Sequence, residues 1–340
     1  MSVASVPSSP RRNLAPVMPW VSAWQEALYG VRGFYRDPAG PAGHFATSAH
    51  GPTGRLFARA LVNFAAQHRC SGIVDIGAGR GELLTHLHSL APHLRLTGMD
   101  VVCRPGGLPP SVEWVASPGG AGLPALPKSV GPLLIIANEW LDVVPCPIAE
   151  VDATGRLREV EVDGGGRERL GAIAGESRTF TAEDLAWAQR WWPYSDRPGT
   201  RVEIGLTRDR ALRALVDQLE SGVVLAIDYG HLSTDRPRRG SLLGYRRGRA
   251  VPPVPDGSCD LTAHVAIDSL PAGRVLSQRA ALGELVRPAA AVPYGAARRD
   301  PSAYLAALQE NSALAELRGA GLGDFWWVIT EVPTARDPLT

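Results

Sequence analysis

An apolar segment that runs directly into a glycine-rich turn limits most strongly what this chain can fold into. Residues 73–76 (Ile-Val-Asp-Ile) predict a buried strand, and Gly77, Gly79 and Gly81 follow in Gly-x-Gly-x-Gly spacing before a predicted helix at Glu82. Glycines at this spacing let the backbone turn sharply and approach a ligand without Cβ atoms in the way. The helix N-terminus behind them favours a polar or anionic group. The segment therefore predicts a strand–turn–helix unit that binds a ligand.

The spacing of these glycines separates two classes of nucleotide cofactor. A dinucleotide-binding turn reads Gly-x-Gly-x-x-Gly, and the place of its third glycine, counted from Gly77, holds Glu82. An acidic residue two positions before the first glycine, here Asp75, followed by Gly-x-Gly-x-Gly is the pattern of S-adenosylmethionine (SAM) sites. We expect Asp75 to help hold the cationic methionine end of SAM, and Gly77, Gly79 and Gly81 to lie against the cofactor.

A second acidic residue supports a nucleoside ligand. The next predicted strand, residues 94–99, is followed by Asp100. A carboxylate at the end of this strand, about 20 residues after the glycine turn, is placed to bind two ribose hydroxyls. Both NAD and SAM carry such hydroxyls, so Asp100 is compatible with either cofactor.

Length, charge and cysteine content exclude several classes of protein. The chain has 340 residues, enough for one large domain or two, and its net charge of +1 offers no bulk attraction to nucleic acid or an anionic membrane. No apolar stretch reaches the roughly 18 residues of a membrane span. The four cysteines form no Cys-x-x-Cys pair. We expect a cytoplasmic protein with reduced thiols, no metal site and a disordered leader over residues 1–19.

Apolar periodicity predicts the fold class. Helices are predicted over 20–30, 54–68, 82–90, 182–192, 208–220 and 301–319, and strands over 73–76, 94–99, 112–115, 133–137, 223–227 and 325–330. The alternation of the two predicts an α/β fold with a Rossmann-like parallel sheet and helices on both faces. Between them, residues 148–152 and 156–162 predict a hairpin. The predicted divisions are the leader 1–19, N-terminal helices with the SAM-binding half of the sheet over 20–147, an insertion over 148–200 that covers the substrate, and the remainder of the catalytic domain over 201–340.

Two polar segments should reach the same edge of the sheet as the glycine turn, because ligands bind beyond the carboxyl ends of parallel strands. One contains Asn138, Glu139 and Asp142, and the other contains Asp228 and Tyr229. If the first segment is one helical turn, Glu139 and Asp142 share a face. Two adjacent carboxylates suit a cationic substrate such as a guanidinium, which they bind by charge-assisted and often bidentate hydrogen bonds. We predict that Asn138, Glu139 and Asp142 orient the methyl-accepting nitrogen.

Three further features leave alternatives open. Glu203 is either a third carboxylate near the site or the start of a regular element, paired with an arginine. His264 has no second His or Cys at metal-ligand spacing, so a hydrogen-bonding role is expected, either structural or toward the substrate together with Asp228 and Tyr229. The Pro/Arg/Gly-rich stretch 231–258 is long for a loop, and loops of that length are usually functional or disordered.

In this order, the segments resemble the MidA-like SAM-dependent methyltransferases, a family that includes the mitochondrial complex I assembly-factor methyltransferase. The resemblance spans about residues 29–332 and rests on Gly43-His44-Phe45-Ala46-Thr47-Ser48, residues 75–81, Asn138-Glu139 with Asp142 and Pro145, and residues 201–204, 228–230, 240–245, 260–265 and Gln278. It implies a class I methyltransferase sheet, SAM as cofactor, and methylation of a protein arginine, with a respiratory complex subunit as partner. It also implies that Thr47 and the glycines lie at the cofactor, and that Asn138 and Glu139 lie at the substrate mouth.

Three positions depart from the family pattern. His44 stands where the family usually has an acidic residue, Arg247 where a histidine is common, and Asp100 where Glu is usual.

The first two departures motivate a non-catalytic assembly or binding protein with the same fold as an alternative. A small-molecule methyltransferase is another. A nicotinamide-dependent oxidoreductase is the third, and Glu82 argues against it. The sequence makes no prediction of oligomeric state.

Overall fold

The computed structural model describes residues 16–37, 51–289 and 294–333. Thr47, His44 and the rest of the 43–48 segment lie outside the described residues, as does most of the predicted leader. No helix in the described part of the chain is long and apolar enough to cross a membrane. All four cysteines are free thiols.

The elements alternate in much the order that the apolar periodicity predicts. In chain order they are β1 (Val17–Pro19), α1 (Trp20–Tyr29), α2 (Gly51–Gln67), β2 (Gly72–Ile76), α3 (Glu82–Leu90), β3 (Arg95–Asp100), β4 (Glu113–Ala116), β5 (Leu133–Asn138), β6 (Ile148–Val151), β7 (Leu157–Asp163), β8 (Glu168–Ile173), α4 (Ala182–Trp191), β9 (Arg201–Glu203), α5 (Leu206–Gln218), β10 (Gly222–Asp228), β11 (Gly230–His231), β12 (Leu243–Arg246), β13 (Arg249–Val251), β14 (Asp260–Thr262), β15 (Val265–Ala266), β16 (Arg274–Ser277), α6 (Gln278–Leu285), α7 (Tyr294–Ala297), α8 (Pro301–Arg318) and β17 (Trp326–Val332).

The central sheet has seven strands in the order β16-β17-β10-β5-β2-β3-β4. The strands from β10 to β4 are parallel to their neighbours, whereas β17 runs antiparallel to both β10 and β16. The predicted α/β class is confirmed, and the prediction of a parallel sheet is corrected at β17. A strand buried on both faces is continuously apolar in either direction, so its sequence does not indicate which way it runs.

Helices cover both faces of this sheet. Successive strand residues point to opposite faces, and in β5 Leu134 packs into one core cluster while Ile135 packs into the other. The first cluster includes apolar side chains from α2, α3, α6 and α8, and the second includes side chains from α5. This packing leaves the carboxyl ends of the parallel strands free to carry polar loops.

The predicted insertion forms a second sheet with its neighbours. The sheet has the order β1-β7-β6-β9, with β8 paired to β7, and its pairs are antiparallel. The predicted hairpin is present as β6 and β7. Val17–Pro19, at the end of the predicted leader, and Arg201–Glu203 both belong to this sheet, so it extends on either side of residues 148–200. Phe180 and Trp187 are buried beneath it. The four divisions of the chain stay a prediction.

The Pro/Arg/Gly-rich stretch contains regular structure. Strands β12 and β13 form a hairpin whose two turn residues, Arg247 and Gly248, have φ of 52° and 73°. Positive φ at both positions is typical of a type I′ turn, which matches the twist of the strands that it joins. On its other side β12 pairs with β14, which places Tyr245 opposite Asp260.

Candidate active site

A cavity of about 540 Å³ lies at the carboxyl ends of the parallel strands. The glycine turn after β2 lines one part of it, and the segments after β5 and β10, together with β12 and β14, line another. Seven carboxylate side chains are among the described residues that line it: Asp37, Asp75, Glu82, Asp100, Glu139, Asp142 and Asp260. The cavity is therefore strongly acidic and suits cationic ligands.

The three glycines of the turn have different surroundings. All have positive φ, at 70° for Gly77, 58° for Gly79 and 77° for Gly81. A Cβ atom on Gly79 would meet nothing closer than 3.7 Å, and one on Gly77 would lie 3.4 Å from the Trp140 ring. A Cβ atom on Gly81 would lie 2.4 Å from Leu108, and Gly81 is not among the residues that line the cavity. Gly77 and Gly79 thus border the ligand space, while Gly81 allows close packing behind it.

Asp100 connects the second strand to the glycine turn. Its Oδ2 accepts a hydrogen bond from the Gly79 amide at 2.8 Å, and its Oδ1 accepts one from the Val102 amide at 3.1 Å. Burial raises the pKa of Asp100 above its usual value. The residue lines the cavity, and a carboxylate oxygen can accept more than one hydrogen bond. Its predicted role toward ribose stays a prediction.

Asp75 is a buried carboxylate that borders the cavity. Its side chain is 3% exposed and makes no hydrogen bond within the described part of the chain. Burial, together with the nearby Asp100 and Glu82 carboxylates, raises the pKa of Asp75 to about 8. A cation in the cavity would favour the ionised form of this carboxylate.

The segment after β5 is not the helical turn considered above. Glu139 has a φ of 51°, in the left-handed region, and its amide donates to the Ile227 carbonyl at 2.8 Å. This bond belongs to the last β5–β10 pair, Asn138 with Ile227, and the left-handed conformation of Glu139 is incompatible with a right-handed helical turn there. Asn138 Nδ2 donates to Glu139 Oε1 at 3.2 Å. Asn138, Glu139 and Asp142 all line the cavity, although Glu139 and Asp142 do not share a helical face.

Asp142 has one satisfied and one unsatisfied carboxylate oxygen. Its Oδ2 accepts hydrogen bonds from the Tyr229 hydroxyl and, at 2.6 Å, from Thr262 Oγ1. Its Oδ1 is buried and has no partner in the described structure, and the same is true of Asn138 Oδ1. Burial raises the pKa of Asp142 despite its hydrogen bonds. Buried acceptors are almost always satisfied, so these two oxygens require a donor that the described residues do not supply.

Asp228 supports this segment from behind. Its Oδ2 accepts from the amides of Leu141 at 2.9 Å and Asp142 at 3.1 Å, and its Oδ1 accepts from the Tyr229 amide. It is 1% exposed and is not among the residues that line the cavity. Burial, then the charge of Asp142, raises its pKa well above the usual value. The predicted contact of Asp228 with substrate is therefore replaced by a positioning role, because its oxygens already accept from the main chain.

Tyr229 and His264 both line the cavity, as predicted for the substrate side. Their ring centroids are 5.1 Å apart, and the Tyr229 ring also lies 5.4 Å from Phe325. Burial lowers the pKa of His264, so the imidazole is neutral near pH 7. Their contacts with substrate stay a prediction.

Among the described residues, Glu203 is neither a carboxylate that lines the cavity nor one paired with an arginine, the two alternatives that the sequence leaves open. It lies in a strand, but its carboxylate accepts from the Ser241 amide and hydroxyl, both at 2.6 Å, and from the Leu242 amide at 2.8 Å. It is not among the residues that line the cavity. Glu203 therefore anchors the start of the β12 segment.

Sequence reasoning missed one wall of the cavity. Asp260 is buried and accepts from the Tyr35 hydroxyl at 2.8 Å, and the Tyr29 ring stacks on Tyr35 at 5.5 Å. Burial, then the charge of Asp142, raises the pKa of Asp260 well above its usual value. Asp260 belongs to the 260–265 element, but the sequence predicts a role only for His264 of that element. No sequence signal marks Tyr35.

The cavity is lined by other parts of the chain than the predicted insertion over residues 148–200. No residue of 148–200 is among the described residues that line it, whereas residues from the first helix and from β12 and β14 are. The role of the insertion as a cover over the substrate is therefore not supported.

Residues 86–279, more than half of the chain, match the sequence model of a family described as S-adenosyl-L-methionine-dependent methyltransferases (Methyltransf_28). The chain belongs to this methyltransferase family. The predicted resemblance to MidA-like methyltransferases is confirmed, and so is SAM as the cofactor of the family. No curated protein matches the chain.

The methyltransferase is also similar to two solved structures from Burkholderia thailandensis. One is a COG1565 superfamily member bound to S-adenosyl-homocysteine, with 22% identity and a TM-score of 0.67, covering 93% of this chain and 88% of that chain. The other is a native COG1565 superfamily protein, with 23% identity and a TM-score of 0.66, covering 93% of this chain and 87% of that one. At this level of identity the likeness shows a shared fold.

The residues of the methyltransferase fit SAM. Gly77 and Gly79 leave room beside the backbone. Asp75 presents a carboxylate without a protein partner in the described structure. SAM carries a sulfonium and an ammonium group, and such cations stabilise a buried carboxylate.

Proposed function

We propose that this methyltransferase transfers a methyl group from SAM to a guanidinium nitrogen of a protein arginine. One observation carries the proposal: the unsatisfied Oδ1 of Asp142, in a cavity wall that also holds the buried carboxylate of Asp260. Burial, then the charge of Asp142, raises the pKa of Asp260, so ionising this carboxylate is electrostatically unfavourable without a cation. A guanidinium supplies both the charge and the missing hydrogen-bond donor.

The shape of the donor set favours arginine over lysine. A guanidinium is planar and presents five N–H donors in a fixed fork, whereas an ammonium group is a compact point charge. The acceptors Asp142 Oδ1 and Asn138 Oδ1 are both unsatisfied and both lie on this wall. Several fixed acceptors are best matched by a planar group with several donors.

The residues divide into two groups in this proposal. Asp75, Gly77, Gly79 and Asp100 would hold SAM, which supplies a methyl group on a sulfonium sulfur when it is bound. Glu139, Asp142 and Asn138 would orient the acceptor nitrogen, and Tyr229 and His264 would contact the substrate. Positioning alone can supply roughly 7–11 kcal/mol of rate enhancement in favourable cases.

One proton must leave the acceptor. The guanidinium nitrogen gains a methyl group and loses one proton, so the product keeps a single positive charge. Glu139 lines the cavity beside Asn138, and its carboxylate is the acceptor that we assign to this proton. Asn138 would orient that carboxylate through its Nδ2 hydrogen bond.

The test is transfer of a labelled methyl group from SAM to peptides that differ at one residue. We expect an arginine peptide to be labelled, the matched lysine peptide not to be, and acid hydrolysis to release methylarginine. The Glu139→Gln protein should be at least a hundredfold slower, while Glu220→Gln, an exposed change on the surface, should be unaffected. Labelling of lysine alone would refute the arginine assignment, and a Glu139→Gln protein as fast as the wild type would refute the role of Glu139 as proton acceptor.

A small guanidine or amine is the second candidate acceptor, because the Asp142 and Asp260 carboxylates that border the cavity are themselves buried. Labelling of free arginine amide in preference to every peptide would favour it. By family analogy, a respiratory complex subunit is the partner that we propose to test first. Saturable SAM binding without transfer to any peptide, small guanidine or lysate protein would instead support a non-catalytic assembly protein.

A further inference from the structure

A run of arginines lies in the stretch 236–249. It contains six arginines and no acidic residue, in a chain whose net charge is only +1. Arg236 is buried and forms an ion pair with Asp268. The other five are exposed: Arg238, Arg239, Arg246, Arg247 and Arg249. The stretch therefore concentrates positive charge without any acidic residue within it.

This stretch runs along one edge of the cavity. Leu243 pairs with Thr262 and Tyr245 pairs with Asp260, in antiparallel register. Further back, the His264 amide donates to Ser241 Oγ at 2.8 Å. Thr262, Asp260 and His264 all line the cavity, and so does Tyr245 itself.

The arginines lie beyond both ends of that edge. Arg238 and Arg239 precede the contact made by Ser241, and Arg246 and Arg249 follow the one made by Tyr245. We call the first pair the upstream cluster and the second pair the hairpin cluster. Along the chain, the segment that borders the acidic cavity thus lies between two basic clusters.

The hairpin cluster is unfavourable in isolation. Arg246 and Arg249 are direct cross-strand partners, and like charges in that position destabilise a hairpin. Neither they nor Arg238 and Arg239 form an ion pair with any residue that the structure describes. An anionic partner would remove this repulsion.

We propose that the two clusters bind acidic residues that flank the methylated arginine in the protein substrate. The inference rests on the proposed function, since it assumes a peptide whose cationic side chain enters the cavity. Arg239 and Arg246 are seven positions apart, at most about 23 Å of extended chain. A peptide spans that distance with about seven residues, so acidic side chains two to three positions on either side of the acceptor fit best. Basic flanking residues are repelled, which adds specificity.

The proposal is tested by binding, independently of methyl transfer. The probe is a fluorescein-labelled Glu-Glu-Gly-Arg-Gly-Glu-Glu peptide, compared with the same peptide carrying Gln for Glu and with one carrying citrulline for the central arginine. We expect the acidic peptide to bind at least tenfold more tightly than the Gln peptide, with a difference that shrinks as salt is raised. The R246E/R249E and R238E/R239E proteins should each lose most of that difference, and the exposed pair R55E/R213E should keep it. Unchanged SAM affinity in each variant verifies folding.

The outcomes separate this inference from the proposed function. Equal binding of the acidic and Gln peptides, or charge-reversed proteins that bind like the wild type, would overturn the docking surface. Cluster-dependent binding of the citrulline peptide, without methylation of the arginine peptide, would retain the docking surface and reject the arginine acceptor.

Discussion

Arg208, a buried residue of α5, donates a hydrogen bond from Nη2 to the main-chain carbonyl of Asp142 at 2.9 Å. The same guanidinium donates to the carbonyls of Val144 at 3.0 Å, Ala263 at 3.1 Å and His264 at 3.0 Å. These carbonyls belong to the two segments that place Asp142 and His264 in the cavity. One side chain therefore sets the spacing between two parts of the cavity wall.

Replacing Arg208 by Lys should lower activity more than cofactor affinity. Lysine keeps the charge but cannot reach four carbonyls, and each buried acceptor left unsatisfied costs about 1–3 kcal/mol. We expect the free energy of unfolding in urea to fall by about 2–4 kcal/mol. Calorimetric SAM affinity should change less than threefold, because Arg208 does not contact the glycine turn. Arg213→Lys, an exposed change on the same helix, is the control. An equal loss of SAM affinity and activity would contradict the prediction.

SAM binding should release a proton from Asp75. Burial raises the pKa of Asp75 to about 8 in the ligand-free protein, so this carboxyl is mostly protonated at pH 7. A cationic ligand favours the ionised form. Affinity should therefore rise between about pH 6 and about pH 8. Calorimetry in buffers of different ionisation enthalpy should detect up to one proton released by the wild type and none by Asp75→Asn. Proton release that persists in Asp75→Asn would assign it to another group.

The ligand-free protein should lose stability as pH rises. Burial raises the folded-state pKa of Asp75 and Asp260 above the unfolded value of about 4. Their stabilising contribution is complete below that value and is lost as pH rises through the folded-state pKa. Tm should fall from about pH 5 to about pH 9, and Asp260→Asn should make the fall shallower. Asp152→Asn is the control. Hydrogen bonds from Thr154 lower the pKa of Asp152 to about 2, so the change of Tm with pH in this variant should match that of the wild type. Equal slopes in all three proteins would contradict this assignment.

The two glycines Gly79 and Gly81 should respond differently to alanine. Both have positive φ, which costs about 1–2 kcal/mol for a residue with a Cβ atom. At Gly81 the new atom would also lie 2.4 Å from Leu108, and such overpacking adds about 1–3 kcal/mol. Urea denaturation should therefore show the larger loss in Gly81→Ala. Gly79→Ala should instead lose more SAM affinity, relative to its loss of unfolding free energy, because its Cβ atom borders the cavity. SAM titration measures this affinity. The reverse order would show that Gly79 does not face the cofactor.

Local sequence signals were sufficient to predict the part of the cavity around the glycine turn. The glycine turn, the strand before it and the helix after it lie within one short segment, and the structure has the helix at Glu82–Leu90, as predicted. Asp75 and Asp100 follow from their offsets to the glycines. Backbone sterics and apolar periodicity act between near neighbours, so a sequence pattern can record them.

The part of the cavity around Asp142 and Asp260 depends on contacts between residues that are distant in the sequence. Tyr35 meets Asp260 across 225 positions, and Thr262 meets Asp142 across 120. Glu139 adopts a left-handed conformation at the point where its amide bonds to the Ile227 carbonyl of β10. Asp228 accepts hydrogen bonds from the main chain and is not among the residues that line the cavity, which no feature of its own segment reveals.

The sequence by itself determined the α/β fold, the methyltransferase family and the glycine turn with its two flanking carboxylates, because these depend on short-range geometry and on the alternation of apolar residues. Only the tertiary structure decided which other carboxylates line the cavity. Burial, pairing and the exclusion of water arise when remote segments pack together, and those three conditions set whether a carboxylate is a ligand, a support or a surface charge.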